Sequence, residues 1–306
     1  METIVFVDKP ELTHSQLTRL KKAGKLIIAS LLWPKEDEVL GLISHATIIV
    51  SKWIPITRKI LENSPHLKYI VMALTGYQDW IDAEAVKEKN IIVSNVPAFS
   101  SEAVAEHCLL LMLAVFRNLV SAHNNLTKIG KFDPKDLQGQ ELAAKTLGII
   151  GYGNIGKRLG DLARCFDMNV ISVNSGSTKR DFNNLLTRSD IVSINVPLTP
   201  QTEKMIGDYE LSLLPKGAVV VNTSRGKVID EKALIKHLGN GHLLGAGLDV
   251  FAQEPPDKNN PLFKLPNVVV TPHIAYNTKE AYLRLMEGVI ENLEAFVKGK
   301  PINRVI

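Results

Sequence analysis

Three segments of the sequence place reactive side chains just after runs of β-branched residues. VVVNTSRG puts Arg225 after one run, GLDVFAQEP puts Glu254 after the next, and VVVTPHIA puts His273 after the last. Ligands of open α/β sheets bind beyond the carboxyl ends of the strands, so these side chains are expected to converge on one cleft. The planar guanidinium of arginine can bind a carboxylate through two hydrogen bonds, and the imidazole of histidine can transfer protons near neutral pH. Taken singly, each residue also fits an ordinary role as a surface ion pair, a loop acid or a core histidine.

The segment TLGIIGYGNIGKRLG has the composition of a dinucleotide-binding turn. Gly151, Gly153 and Gly156 follow a strand-like run and open a helix-like one. In such turns the first glycine permits the tight bend, the second lets the backbone approach a pyrophosphate, and the third allows close packing of helix on strand. Free N–H groups and the helix dipole then favour the phosphates. The spacing predicts binding of NAD or NADP by the middle of the chain.

The end of the next strand, NVISVNSGSTKR, bears on the choice between the two cofactors. Asn174 stands where an acidic residue usually binds the ribose 2′-hydroxyl, and an amide does not repel a 2′-phosphate. Nearby hydroxyl and cationic side chains are suited to bind that phosphate: Ser175, Ser177, Lys179 and Arg180. The alternative is a plain turn built of turn-forming residues. We expect a slight preference for NADP.

Strand-like and helix-like segments alternate along the chain, as in parallel α/β sheets covered on both faces. The strand-like runs are 3–7, 25–30, 46–51, 67–73, 90–96, 145–151, 169–174, 189–198, 217–226, 243–251 and 267–275. The pattern predicts two Rossmann-like, doubly wound parallel-sheet domains, and a C-terminal helix that packs back on the first domain would make that domain discontinuous in sequence. Residues 1–98 plus 280–306 are expected to form a flavodoxin-like substrate-binding domain, and residues 99–279 a dinucleotide-binding domain. A single long helix is expected over 100–126, with residues 299–306 running out as a tail.

Bulk composition narrows the class of protein. The 306 residues are 45% hydrophobic and 22% charged, with a net charge of +4 and no dense basic patch, which disfavours nucleic-acid binding. Two distant cysteines argue against a disulfide framework, and Cys108 lies in an apolar run typical of a buried, inert thiol. That run, 108–116, is too short to span a bilayer, and no secretory signal is visible. We expect a cytoplasmic protein with no membrane partner and no metal site.

The ordered motifs GYGNIG, NTSRG, GLDVFAQEP and TPHIA, with NVPAFSSEAVAEH at 95–107, resemble the D-isomer-specific 2-hydroxyacid dehydrogenase family over essentially the whole chain. The resemblance implies a catalytic triad of Arg225, Glu254 and His273. His273 would donate a proton to the keto oxygen while the nicotinamide delivers hydride, and Glu254 would favour the protonated ring. The resemblance also implies a homodimer formed through the 100–126 helix region.

The resemblance further implies two sets of binding residues. For the dinucleotide they are Gly151, Gly153, Asn154, Ile155, Gly156, Asn174, Ser175, Val196, Pro197, Thr202, Thr223, Ser224, Asp249 and Val104. For the substrate they are Lys52, Thr75, Gly76, Tyr77, Arg225 and His273. Asp249 resembles the residue that holds the nicotinamide carboxamide, and Asn195 stands where many relatives carry histidine. Lys52 also fits an ordinary surface lysine.

The segments VSKWIPIT at 50–57 and ALTGYQDWID at 73–82 look more like the glycerate dehydrogenase/hydroxypyruvate reductase branch than the phosphoglycerate branch. The expected reaction is reduction of hydroxypyruvate or glyoxylate to D-glycerate or glycolate. The alternatives are a D-lactate or phosphoglycerate-type dehydrogenase and a non-catalytic, NAD(H)-sensing protein similar to corepressors. A formate dehydrogenase is disfavoured, because those enzymes carry Gln where Glu254 stands.

Overall fold

The computed structural model describes all 306 residues, which divide into two compact units. Unit 1 comprises Met1–Ser100 and Thr278–Ile306, and unit 2 comprises Ser101–Asn277. The expected discontinuity of the first domain is therefore confirmed.

Eleven strands and eleven helices alternate along the chain. The strands are β1 (Glu2–Phe6), β2 (Gly24–Ile28), β3 (Ile48–Ser51), β4 (Tyr69–Met72), β5 (Ile92–Asn95), β6 (Thr146–Ile150), β7 (Asn169–Val173), β8 (Ile191–Ile194), β9 (Ala218–Asn222), β10 (Leu243–Leu248) and β11 (Val268–Val270). The helices are α1 (His14–Ala23), α2 (Glu36–Ile43), α3 (Arg58–Glu62), α4 (Ala83–Glu88), α5 (Ser101–Phe116), α6 (Leu119–Ile129), α7 (Asn154–Arg164), α8 (Lys179–Arg188), α9 (Asp208–Leu213), α10 (Glu231–Gly239) and α11 (Lys279–Val297). Each of the eleven strand-like runs overlaps a strand, and β1 and β2 begin one residue before their runs.

The sheet of unit 1 is parallel, with the strand order β2-β1-β3-β4-β5. This is the strand order of flavodoxin-like doubly wound sheets. Every residue of β3 and β4 is buried, as expected of strands covered on both faces. Helix α11 packs on this sheet, since the ring of Phe296 stacks on Tyr69 at a centroid distance of 4.2 Å.

The last residues of the chain do not run out as the expected tail. Arg304 forms an antiparallel bridge with Ser94 of β5. The N–H of Val305 donates to the carbonyl of Val93 at 2.8 Å. The C-terminal segment thus covers the edge of β5, which would otherwise present unpaired backbone groups.

The sheet of unit 2 is also parallel, with the order β11-β10-β9-β8-β6-β7. The chain leaves β6 for β7 on one side of it and later returns to place β8 on the other side. The switch point of this doubly wound sheet therefore lies between the carboxyl ends of β6 and β8, where ligands of such sheets bind.

The single helix expected over 100–126 is wrong, because the structure contains two helices, α5 and α6, bent by 63°. Asn118 lies between them in the left-handed conformation at φ 51°, which Asn tolerates better than most residues. The carbonyl of Phe116 accepts the N–H of Gln140 at 2.9 Å instead of continuing the helix. No single helix reaches the length and apolarity of a membrane span, although α5 and α6 taken as a bent pair do.

Candidate active site

The glycine turn between β6 and α7 leaves space where a pyrophosphate would lie. A Cβ on Gly151, whose φ is 95°, would lie 2.5 Å from the carbonyl oxygen of Asn195, and one on Gly156 would lie 2.3 Å from that of Gly151. A Cβ on Gly153 would meet nothing within 4 Å. Backbone packing therefore requires glycine at positions 151 and 156, whereas Gly153 borders open space. Since no side chain caps the start of α7, its first N–H groups are suited to bind phosphate oxygens.

Asn195, directly after β8, adds an unsatisfied polar atom beside this turn. Its Nδ2 donates to Ser193 Oγ at 3.1 Å, but its Oδ1 is buried without a hydrogen-bond partner. A buried acceptor of this kind needs a donor, and the hydroxyls of a dinucleotide supply one. The residues at the switch point therefore fit a dinucleotide.

The loop after β7 is closed by its own hydrogen bonds. Asn174 Oδ1 accepts the N–H of Gly176 at 2.9 Å, and the N–H of Asn174 donates to Ser177 Oγ at 3.1 Å. Thr178 then caps α8 by accepting the N–H of Asp181 at 3.2 Å. This is the plain turn named as the alternative, and it holds Asn174 in a fixed orientation. Ser175, Lys179 and Arg180 are exposed beside it.

Arg225 lies in a rigid loop after β9. Buried Asn222 accepts the N–H of Ser224 at 3.0 Å and donates from Nδ2 to the carbonyl of Arg225 at 2.9 Å. The adjacent Gly226 has no room for a side chain, since a Cβ there would lie 1.9 Å from the carbonyl carbon of Phe251. The loop that carries Arg225 therefore packs directly on the loop that follows β10.

Glu254 and His273 form a hydrogen-bonded pair. His273 Nδ1 lies 2.7 Å from Glu254 Oε2, and Glu254 Oε1 accepts the N–H of Phe251 at 3.0 Å. Burial alone would raise the pKa of Glu254, but the hydrogen bond and charge of His273, the N–H of Phe251 and the charge of Arg225 hold it below its usual value. The ionised carboxylate accepts a hydrogen bond from Nδ1–H, so Nε2 is the ring nitrogen of His273 that can exchange a proton with another group.

The backbone of His273 is unusual and is held by Asp249. His273 has a φ of 52°, and its N–H donates to the carbonyl of Asp249 at 2.8 Å. The fully buried carboxylate of Asp249 accepts the N–H groups of Ile274 and Ala275, at 2.9 and 2.8 Å, and the hydroxyl of Thr271 at 2.5 Å. Asp249 therefore organises the loop that presents His273.

Helix α5 contributes polar groups beneath these strand ends. His107 Nε2 lies 3.0 Å from Thr271 Oγ1. The sequence does not predict this contact. The only feature of the sequence that pointed to His107 is that it is a lone histidine in an apolar run. The neighbouring Cys108 is buried, with Sγ 3.1 Å from Thr223 Oγ1, and burial raises the pKa of this thiol to about 11. The expectation of a buried, unreactive Cys108 is confirmed.

In unit 1 the proposed substrate residues lie on the loops that follow β3 and β4. The N–H groups of Lys52 and Trp53 both donate to Asp8 Oδ2, at 2.8 and 2.6 Å. The ammonium of Lys52 lies 4.7 Å from the Trp53 ring centroid and 4.5 Å from that of Tyr282. Burial lowers the pKa of Lys52 to about 8, although the charge of Asp8 opposes this shift. Lys52 is thus half-buried and held by neighbouring groups.

The second substrate loop, residues 75–77, is fixed to β5. Thr75 Oγ1 donates to the carbonyl of Val96 at 3.1 Å, and Asn95 Nδ2 donates to the carbonyl of Thr75 at 2.8 Å. Tyr77 packs against the core of unit 1. The backbone of this loop is therefore rigid, as a loop that binds a carboxylate through N–H groups requires.

The remaining residues predicted to contact the dinucleotide all belong to unit 2. Asn154 and Ile155 open α7, and Val104 is buried on α5. The others follow β8 or β9: Val196, Pro197, Thr202, Thr223 and Ser224. The hydroxyl of Thr202 donates to the carbonyl of Pro197 at 2.6 Å, so the loop after β8 is also closed on itself.

Known proteins resemble the chain throughout its length. It is 38% identical over 278 residues to a glycerate dehydrogenase of Methylorubrum extorquens, covering 88% of each chain. It is 39% identical over 299 residues to a D-3-phosphoglycerate dehydrogenase of Methanocaldococcus jannaschii, covering 94% of this chain and 56% of that protein. This chain thus matches little more than half of the phosphoglycerate enzyme.

A solved structure and a family match agree with these similarities. The acyclic imino acid reductase Bsp5, in complex with NADPH and D-Arg, superimposes with a TM-score of 0.90 at 33% identity, covering 99% of this chain and 100% of that one. Residues 109–275 match the NAD binding domain of D-isomer specific 2-hydroxyacid dehydrogenases. The chain belongs to the D-isomer specific 2-hydroxyacid dehydrogenase family and is an oxidoreductase that uses NAD or NADP.

Proposed function

We propose that this protein reduces a small 2-keto acid to its D-2-hydroxy acid, with hydroxypyruvate and glyoxylate as substrates and D-glycerate and glycolate as products. One observation carries the proposal: His273 Nδ1 lies 2.7 Å from the carboxylate of Glu254, whose pKa is also lowered by the charge of Arg225. The proposed proton donor His273, the carboxylate of Glu254 and the guanidinium of Arg225 thus follow three neighbouring strands of one sheet.

Arg225, His273 and Glu254 have separate roles in the proposed reaction. Arg225 binds the substrate carboxylate through its planar fork. The reduced nicotinamide, when bound, supplies the hydride to the carbonyl carbon. His273 gives its Nε2 proton to the carbonyl oxygen, which becomes the hydroxyl of the product. Glu254 stabilises the imidazolium before transfer, and the neutral ring takes up a proton from water afterwards.

The dinucleotide would lie across the switch point of unit 2. The N–H groups at the start of α7 would bind the pyrophosphate beside Gly153, and Asp249 would hold the nicotinamide carboxamide. Asn174, held by its own turn, places no negative charge where a 2′-phosphate would lie. This absence of charge supports a slight preference for NADP.

The sequence also predicts substrate residues in unit 1, and we propose a role for each. The N–H groups of Gly76 and Tyr77 would bind the carboxylate together with Thr75, because this loop is anchored to β5. The ammonium of Lys52 would bind the carboxylate or hydroxyl of the substrate.

We also propose that the chain forms a homodimer through the 100–126 region. Helix α6 buries none of its residues, and its apolar side chains are exposed along with one from the loop beyond it. These are Leu119, Val120, Leu126, Ile129 and Phe132. Phe132 is 92% exposed, which is unusual for so large an apolar side chain. Light scattering on the purified chain tests the dimer.

Steady-state reduction of hydroxypyruvate, glyoxylate, pyruvate and 3-phosphohydroxypyruvate, each with NADH and with NADPH, tests the proposed activity. Highest kcat/KM on hydroxypyruvate or glyoxylate is expected. Highest kcat/KM on pyruvate or on the phosphorylated acid would move the protein to the D-lactate or phosphoglycerate alternative. Tight dinucleotide binding without turnover of any acid would favour the non-catalytic sensor.

A further inference from the structure

Helix α5 carries a polar side chain that neither hydride transfer nor dinucleotide binding uses. His107 lies in an apolar run with only 12% of its side chain exposed. Its Nε2 lies 3.0 Å from Thr271 Oγ1 and 3.6 Å from Asp249 Oδ1. Burial lowers the pKa of His107, although the charge of Asp249 opposes this shift, so the ring is neutral at neutral pH.

The neighbours of His107 fix which ring nitrogen carries its proton. The hydroxyl of Thr271 donates to Asp249 Oδ1 at 2.5 Å, and a carboxylate oxygen only accepts. Thr271 Oγ1 has no second hydrogen, so its remaining contact with His107 requires Nε2–H as the donor. The three side chains therefore form a one-way chain of hydrogen bonds that runs from α5 to the end of β10.

The far end of this chain is the backbone that presents His273. Asp249 Oδ1 also accepts the N–H of Ile274, and Oδ2 accepts that of Ala275. These two residues follow His273, whose φ of 52° is held in place by the same loop. The orientation of the Asp249 carboxylate thus sets the position of His273.

We propose that His107 is a positioning residue, which acts through Thr271 and Asp249 to hold the backbone segment that presents His273 to the substrate. The inference rests on the proposed function, in which His273 is the proton donor. Without the His107 donor, Thr271 Oγ1 loses one of the two hydrogen bonds that fix its position, and Thr271 then holds the Asp249 carboxylate less firmly. Misplacement of a catalytic group by about 1 Å costs up to about 100-fold in rate.

Three substitutions in the full chain test the proposal by kinetics. His107→Leu removes the donor, His107→Gln restores one from its amide, and Thr271→Val removes the hydroxyl between His107 and Asp249. We expect His107→Leu to lower kcat by about 10-fold to 100-fold, with a smaller change in KM for the keto acid. His107→Gln should recover most of kcat, and adding His107→Leu to Thr271→Val should cause little further loss, because Thr271→Val already removes the link between His107 and Asp249. Unchanged kcat in His107→Leu, or equal losses in the leucine and glutamine variants, would overturn the proposal.

A spectroscopic measurement separates this inference from the proposed function. Long-range ¹H–¹⁵N spectra of the imidazoles report on all eight histidines, and His273→Gln assigns the signal of His273. We expect that signal to shift in His107→Leu and to return in His107→Gln, with no substrate present. A His273 signal that stays unmoved in His107→Leu would overturn the inference, whatever the activity. A shifted signal in a protein that reduces no 2-keto acid would overturn the proposed function alone.

Discussion

Replacing Glu254 by glutamine removes a negative charge from beside His273, the proposed proton donor, but keeps an oxygen that can accept the Nδ1–H of His273. The change isolates electrostatics from hydrogen-bond geometry. The proposed reduction needs the imidazolium, and the charge of Glu254 stabilises that imidazolium. In the variant, kcat/KM for reduction of the 2-keto acid should therefore fall.

The size of the loss follows from the exposure of the pair. Nδ1 and Oε2 lie 2.7 Å apart, with 40% of the His273 side chain and 36% of the Glu254 side chain exposed. Two unit charges 4 Å apart attract by about 4 kcal/mol near a protein surface and by about 1 kcal/mol in bulk water. Because solvent screens both groups, we take about 1 to 2 kcal/mol, which corresponds to about a tenfold loss of kcat/KM.

The assay is kcat/KM for reduction of hydroxypyruvate, or of the best 2-keto acid found, at one pH near neutrality. Glu254→Gln should lower kcat/KM by about tenfold, as a loss of about 1.4 kcal/mol requires. Glu291→Gln makes the same chemical change at an exposed position on α11 and should leave kcat/KM unchanged. Wild-type kcat/KM in Glu254→Gln would refute the electrostatic role of Glu254, since the amide still accepts the Nδ1–H of His273.

Four other substitutions test the remaining assignments. Arg225→Lys should raise KM for the keto acid and lower kcat, because an ammonium cannot match the two-point contact of the fork; steady-state kinetics that match wild type would remove this assignment. Asn174→Asp keeps the oxygen that accepts the N–H of Gly176 but adds a charge, so the NADPH-to-NADH ratio of kcat/KM should fall by about tenfold or more. Gly153→Ala should fold and bind dinucleotide weakly, as measured by fluorescence titration, because its Cβ meets only open space. Gly156→Ala should instead lower the melting temperature, because its Cβ would lie 2.3 Å from a carbonyl oxygen; equal effects in the two glycine variants would contradict both roles.

The sequence predicts most of this fold because parallel strands are buried on both faces and stand out as continuous apolar runs. The same geometry brings Arg225 and His273 to the carboxyl edge of one sheet. The break at Asn118 was missed because the segment contains neither Pro nor Gly, and the bend depends on the contact between Phe116 and Gln140, distant in sequence. The pairing of Val305 with β5 was missed for the same reason, since a short C-terminal segment takes its structure from the sheet edge it meets.

The contact between His107 and Thr271 could not be predicted, because α5 and β11 are joined only by tertiary packing. That packing explains how the protein tolerates a histidine in a left-handed backbone conformation. Such a conformation costs about 1 to 3 kcal/mol. The Asp249 carboxylate accepts three hydrogen bonds from the loop, each worth about 1.5 to 3 kcal/mol when one partner is charged. These bonds hold the loop in that conformation, so the buried acid proposed to bind the cofactor also positions the proposed proton donor.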